Sequence, residues 1–242
     1  MKIIKLSAID STNSYLKTLS REIDLPDSTV VMAHCQTAGR GQRASSWQSR
    51  QGESLTFSVY KRFTAVAPDR QFELLMAVSL ALKKVLESFG VPDVSVKWPN
   101  DILSRSKKIC GILIENTLTG STISASVIGV GLNVNETEFV DLPKATSMRL
   151  ETEIEFDLDA VLRATVDEIV SEISLLEKPR PSLHSRYESA LFGRNEKKRF
   201  ELPNGETFAG TICGVGSQGA LFVETEKTGL RKFQFKEVKL LF

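Results

Sequence analysis

Between Val94 and Gly129 the chain carries one β-like run after another with almost nothing in between. The runs are Val94–Trp98, Asp101–Leu103, Ile109–Glu115 and Ser121–Gly129, and turn signals stand at Pro99-Asn100, Ser104–Lys107 and Thr119-Gly120. Connections this short join antiparallel neighbours, because parallel strands need a long crossover. The segment therefore predicts an antiparallel meander, and the rest of the chain must pack against it. Candidate strands at Lys2–Leu6, Ser28–His34 and Glu53–Tyr60 precede it, with a short helix over Ser14–Leu19 behind the capping side chains of Asp10-Ser11-Thr12-Asn13. A long helix is predicted from about Asp69 to Phe89, where Phe72, Leu75, Met76, Leu82, Val85 and Leu86 fall on one face. A second, from Leu158 to Leu176, runs up to the break Pro179-Arg180-Pro181 and is followed by a shorter helix over Leu183–Leu191. Strands and helices together predict the α+β class.

From about Gly193 the pattern changes to short β-like runs at Lys198–Leu202, Thr207–Val215, Ala220–Glu224 and Leu230–Phe235, separated by Gly- and Asn-rich turns. A small β-barrel is expected there, docked on the larger unit, because so short a segment buries too little surface alone. The predicted division is residues 1–192 and 193–242.

The 31 basic side chains nearly balance 30 acidic ones, giving a formal net charge of +1, so no global field draws the protein to nucleic acid or membrane. Any anion site must be local. Cys35, Cys110 and Cys213 are widely spaced and odd in number, which argues against a disulfide framework and a zinc site and fits a reducing cytoplasm. No run reads as a signal peptide or membrane span. With two histidines and no clustered cysteines, a transition-metal site is not expected, and no residue is assigned to a metal. His34 and Cys35 would point to opposite faces of a strand, a poor nucleophile–base pair, and His184 is expected at the surface.

From Gln36 to Gly52 no period of 2 or 3.6 is visible, and a structureless connection that long is uncommon unless it works as a lid or binding loop. It reads QTAGRGQRASSWQSR up to Arg50, with three arginines and no carboxylate. Gly39 and Gly41 permit positive φ and close approach of a ligand, Arg40 and Arg43 can pair with carboxylate or phosphate, and Trp47 can stack on a planar ring. A solvated basic loop would look the same in isolation, and Arg50 is expected to be simply solvated. Three further stretches carry polar groups at strand ends: Val96-Lys97-Trp98-Pro99-Asn100-Asp101-Ile102, Lys107-Lys108-Ile109-Cys110-Gly111-Ile112-Leu113-Ile114-Glu115, and Ile128-Gly129-Val130-Gly131-Leu132-Asn133-Val134-Asn135. Each is compatible with an ordinary turn or glycine bulge when taken alone. Lys108, however, stands at the mouth of an apolar strand in which Gly111 leaves space for a ligand.

In order, STN at 11–13, QTAGRGQR with Trp47, KWPNDI, K-x-x-GILIE and GVGLNVN resemble the biotin protein ligases, also called biotin–[acetyl-CoA-carboxylase] ligases. The resemblance spans Ser11 to Asn135. It implies a class II synthetase-like catalytic domain around a mixed sheet, followed by an SH3-like β-barrel. It also implies a two-step reaction, in which biotin and MgATP give biotinyl-5′-AMP and pyrophosphate before a lysine of a biotin carboxyl carrier domain of a carboxylase takes the biotinyl group. By the same resemblance Ser11, Thr12, Asn13, Gln36, Gly39, Arg40, Gly41, Lys108 and Gly111 surround biotin. Arg40, Gln42, Arg43, Trp47, Asn100, Lys108 and Asn133 meet the nucleotide, and Lys108, Arg40 and Asp101 act in catalysis. Many members read GRGRRGR where this chain reads GRGQRAS, and Arg43 is expected to supply the charge missing at Gln42. The chain starts at the catalytic domain, so no operator DNA binding is expected, and the resemblance leaves room for a homodimer. A lipoate ligase or octanoyltransferase is the rival enzyme. A non-catalytic binding module is the rival of another class, although nine basic and six acidic residues from Gly193 onward make no nucleic-acid stripe.

Overall fold

The structure, a computed structural model, describes residues 2–42, 45–178 and 181–242. The elements follow in the order β1 (Ile3–Ile9), α1 (Thr12–Glu22), β2 (Thr29–Gln36), β3 (Leu55–Val66), α2 (Gln71–Ser88), β4 (Val94–Lys97), β5 (Asp101–Ser104), β6 (Lys107–Thr119) and β7 (Thr122–Leu132). Then come α3 (Met148–Thr152), α4 (Leu158–Ser174), α5 (Pro181–Ser189), β8 (Lys197–Glu201), β9 (Thr207–Val215), β10 (Leu221–Thr225), β11 (Gly229–Phe233) and β12 (Lys239–Leu241). The meander forms as expected, β4 to β7 each pairing antiparallel with the next. It belongs to a seven-stranded mixed sheet ordered β1-β2-β3-β7-β6-β5-β4, in which β1 and β2 are parallel.

The two faces of this sheet are covered differently, and that difference creates the site. Side chains alternate across a strand, so Phe57, Val130, Ile112 and Cys110 share one face and pack in the main core under the buried stripes of α2 and α4. The Asp157 side chain caps α4 by accepting from the backbone N–H groups of Asp159 and Ala160. On the opposite face, α1 lays Leu16 on Val31, Tyr60 and Val127. Burying a leucine that fully contributes on the order of 1.5–3 kcal/mol. The helix is short and covers only part of that face, leaving the stretch over Gly111 and Gly131 open beneath the 36–52 connection.

The C-terminal strands form an open five-stranded antiparallel sheet, β11-β10-β9-β8-β12, with no ladder from β11 to β12 among the described residues. Its Phe200, Ile212, Leu221 and Phe233 belong to the same core cluster as α2 and α4. The Trp98 ring meets Phe235 at 5.3 Å between centroids, and its Nε1 donates to the Gly219 carbonyl at 2.8 Å. Tyr187, fully buried on α5, donates to the Pro99 carbonyl at 3.1 Å. The KWPN segment is thus held from behind by the C-terminal part. Strands β3 and β6 run longer than expected, while α3 and β12, of five and three residues, are too short to show a period in sequence. Pro179 and Arg180 lie outside the described residues, and α5 begins at Pro181. Among the described residues no helix is long and apolar enough to cross a membrane.

Candidate active site

A cavity of about 700 Å³ runs from Ser11, Thr12 and Asn13 past Trp47, Gly111 and Lys108 to Leu202 and Leu240 of the C-terminal sheet. Its first end is polar and buried. Ser11 caps α1, which places Thr12 and Asn13 at the helix start, and the three are no more than 3% exposed. The Gln36 side-chain carbonyl, at the end of β2, accepts from the Thr12 N–H at 2.8 Å and the Thr12 hydroxyl at 3.1 Å. Ser58 on β3 brings its hydroxyl 2.7 Å from Thr12 Oγ1 and 2.6 Å from Asn13 Oδ1. A hydroxyl has one proton, so it serves only one of these at a time and leaves acceptor capacity for a ligand. Gly129 stands opposite Ser58 in the ladder, and a Cβ there would collide with the Asn13 amide.

Glu115 closes this end. It takes Lys17 at 2.8 Å on one oxygen and Arg40 at 2.8 Å on the other, and accepts from Asn13 Nδ2 at 3.0 Å. Burial works to raise its carboxyl pKa, but the hydrogen bonds from Lys17 and Asn13 and the charges of Arg40 and Lys17 outweigh it and hold the pKa below the ordinary glutamate value. A depressed folded pKa means the stability from this carboxylate is full above its unfolded value and is lost as pH falls through the folded one. Glu115→Gln is therefore expected to flatten the decline of melting temperature between about pH 5 and pH 3. Parallel declines for the variant and the wild type would contradict the pairing.

In the middle, Gly111 and Gly131 face each other across β6 and β7 and make a floor without side chains. The Trp47 indole lies on it: a Cβ at Gly131 would fall inside the ring's contact distance, and one at Gly111 would come within 3.0 Å. The indole Nε1 is buried without a partner, and the Lys108 ammonium stands 5.4 Å from the ring centroid. Gly39 and Gly41 do not use positive φ. Their lack of a side chain instead lets the loop fold on itself, Gly39 against the Trp47 carbonyl and Gly41 against Ser45. Gln42 lines the cavity, and Arg43 lies outside the described residues.

Lys108 reaches the site because of a β-bulge. Asp101 and Ile102 pair with Gly111 and Cys110, but Leu103 pairs with Lys108, so Ile109 is an extra residue. With regular alternation Lys108 would point into the core; the bulge re-aims it. Its ammonium lies 2.6 Å from Asp101 Oδ1, while Lys97 lies 3.0 Å from Asp101 Oδ2. Burial favours the neutral acid, yet the Lys108 and Lys97 charges prevail and hold the Asp101 carboxyl below its ordinary value. Asn100 donates to the Ile112 carbonyl at 2.8 Å and so clamps β5 to β6 while lining the cavity. Asn133 does not line the cavity; it is buried, donates to the Thr146 carbonyl at 2.9 Å, and keeps a buried Oδ1 with no partner.

Most of the expected residues therefore converge on one cavity. Cys110 does not: it lies on the core face, and burial pushes its thiol pKa far up, so it supplies no nucleophile. His34 is exposed, His184 is half-buried beside Glu188, and neither lines the cavity. Arg50 is not merely solvated, since it pairs with Glu138 at 2.5 Å and its N–H donates to Glu136 at 3.2 Å, tying the loop to the segment after β7. Neither Ser58 nor Lys17 stands out in the sequence, and neither does the role of Glu115 in anchoring Arg40 and Asn13. Ser58 sits in an ordinary strand pattern, and only the ladder that sets it beside Gly129 reveals it.

The model of the family described as Biotin/lipoate A/B protein ligase matches residues 6–133. The bifunctional ligase/repressor BirA of Escherichia coli is 32% identical over 227 residues, covering 91% of this chain and 68% of that protein. The biotin–[acetyl-CoA-carboxylase] ligase of Mycobacterium tuberculosis is 31% identical over 202 residues, 82% of this chain and 74% of its own length. Among solved structures, the biotin protein ligase from Aquifex aeolicus in complex with biotin and ATP is similar over 99% of this chain and 98% of that one, with a TM-score of 0.80 and 26% identity.

Proposed function

Because the chain belongs to the biotin/lipoate A/B protein ligase family, we propose that it works as a biotin protein ligase, activating biotin with ATP and transferring it to a lysine of a carboxylase's carrier domain. One observation carries the choice of substrate: the buried end of the cavity is lined by uncharged hydrogen-bonding side chains, Ser11, Thr12, Asn13 and Gln36, with Ser58 behind them. A ureido ring offers both N–H donors and a carbonyl acceptor to such a set. A lipoyl dithiolane or octanoyl chain offers neither, and any capacity these groups do not already spend on one another would stay unmet beside it, at about 1–3 kcal/mol per buried group left without a partner.

In the first step a biotin carboxylate oxygen attacks the α-phosphorus of ATP and pyrophosphate leaves. The approach of two anions is unfavourable by roughly 4 kcal/mol at 4 Å and an effective dielectric near 20. Lys108 and Arg40 offset it, and Asp101 orients Lys108. Arg40 leaves Glu115 to do so, exchanging one carboxylate for another. Trp47 lifts from the glycine floor and stacks on the adenine. In the second step the carrier lysine's amine attacks the acyl carbon, AMP leaves, and the nitrogen loses a proton, for which Asp101 is the nearest candidate acceptor. No group of three or more His, Cys, Asp or Glu residues is suited to a metal ion among the described residues, and Asp101 is already shared by two lysines. In this reading Mg²⁺ would arrive with ATP and neutralise charge on its phosphates. Residues 1–192 form the catalytic part in this reading, and 193–242 an SH3-like domain.

Purified protein with MgATP is expected to catalyse ATP–pyrophosphate exchange that depends on biotin and is not supported by lipoate. Exchange with lipoate alone, or none with biotin, would overturn the assignment.

A further inference from the structure

The end of the C-terminal sheet reaches the lysines of the active site. Phe242 follows β12 directly, and its half-buried ring takes the Lys144 ammonium at 4.4 Å and the Lys97 ammonium at 5.3 Å from its centroid, both within cation–π range. Phe192 packs edge-on against the same ring at 5.2 Å. Phe192 is itself fixed, since its N–H donates to the Val96 carbonyl at 2.9 Å and the chain at Leu191 bridges in parallel to β4. The Lys144 backbone carbonyl accepts from the Lys108 N–H at 2.7 Å. One aromatic ring thus touches two ammonium groups, one belonging to the residue that shares Asp101 with Lys108 and the other to a residue hydrogen-bonded to Lys108 itself.

We propose that Phe242 is a positioning residue for the ligase reaction, its ring holding the Lys97 ammonium on Asp101 so that this carboxylate is not left to bind Lys108 alone. Asp101 is one anion between two cations. With Lys97 in place, half of its hydrogen-bonding capacity is taken and Lys108 is freer to move its charge to a ligand. When Lys97 swings to solvent, Asp101 closes on Lys108 and competes with the reacting anions for it. Within the sheet Lys97 already stands opposite Asp101 in the β4–β5 hairpin. A lysine side chain has several rotatable bonds and reaches Asp101 in only some of its rotamers, and the ring selects among them. The inference rests on the ligase reading for its kinetic consequence but not for the contact.

Phe242→Leu keeps apolar bulk and removes the ring. It is expected to lower the turnover of biotin-dependent pyrophosphate exchange by about twofold to fivefold, the size of a partly exposed cation–π contact, with the biotin Kd unchanged. Phe242→Tyr is expected to restore turnover, which a purely apolar packing role would not require. In a Lys97→Met background Phe242→Leu is expected to cost nothing further. A turnover equal to wild type in Phe242→Leu, an unchanged cost in the Lys97→Met background, or failure of tyrosine to restore turnover would each overturn the proposal. The contact itself is read without activity in protein labelled with ¹³C at lysine Cε. The Lys97 and Lys144 signals, assigned with Lys97→Arg and Lys144→Arg, should be shifted upfield by the ring and lose the shift in Phe242→Leu. Unshifted signals in the wild type sink the proposal, whereas shifted signals in a protein without exchange activity keep the contact and sink the ligase reading.

Discussion

Lys108→Ala is expected to lower biotin-dependent pyrophosphate exchange by about 10²–10³-fold, the cost of removing one preorganised charge from a developing anion. Lys108 is oriented by Asp101, faces the Trp47 ring, and is delivered by a bulge whose extra residue, Ile109, is buried in the core. Two controls separate chemistry from stability. Removing the ammonium leaves Asp101 still paired with Lys97, so Lys108→Ala should melt close to the wild type while exchange falls. Lys108→Arg keeps the charge but spreads it over a planar fork of different reach, and an intermediate rate is expected. Exchange in Lys108→Ala within tenfold of wild type would remove this lysine from the reaction.

Gly129→Ala should act at the other end of the cavity and on the other kinetic constant. The added methyl would meet the Asn13 amide well inside 3.0 Å. That amide has nowhere inexpensive to go, because it is 2% exposed and already bonded to Ser58 and Glu115. Displacing it unmakes at least two hydrogen bonds in a buried setting, about 2–3 kcal/mol in total, or roughly 30- to 150-fold in biotin affinity. Calorimetry is the direct check. A biotin Kd within threefold of wild type would show that Asn13 plays no part in holding the ligand. Gly131→Ala makes a useful contrast, since its methyl meets the Trp47 ring instead and should weaken the nucleotide step with little change in biotin affinity.

Much of this was legible in the sequence, for a physical reason in each case. The meander from Val94 was readable because its turns carry Pro, Asn and Gly where the chain reverses. Helices α2 and α4 were readable because their apolar faces repeat over four or more turns. The loop with Arg40 and Trp47 stood out because it had no period at all. What stayed hidden depends on pairing across the sheet. Gly129 and Gly131 could be read as suited to close contact, but not that one receives Asn13 and the other Trp47. Glu115 ends an apolar run and looked like the edge of a strand, although it anchors Lys17 and Arg40 from elements far away in sequence. The C-terminal runs predicted a barrel by their spacing, while strand order and closure depend on twist and on β12, which is too short to announce itself.

The extra residue on β6 also determines where the chain tolerates a change of length. The reversal between β5 and β6 passes through Arg105 and Ser106, both at positive φ and exposed, and loop tips of this kind accept insertions readily. Three residues further on, the opposite holds. Deleting Ile109 would restore a regular ladder with Lys108 still on the cavity face, but it would remove a fully buried side chain and leave a void in the core. Along this hairpin, alignment gaps between functional relatives should therefore gather at 105–106 and be absent between 108 and 111.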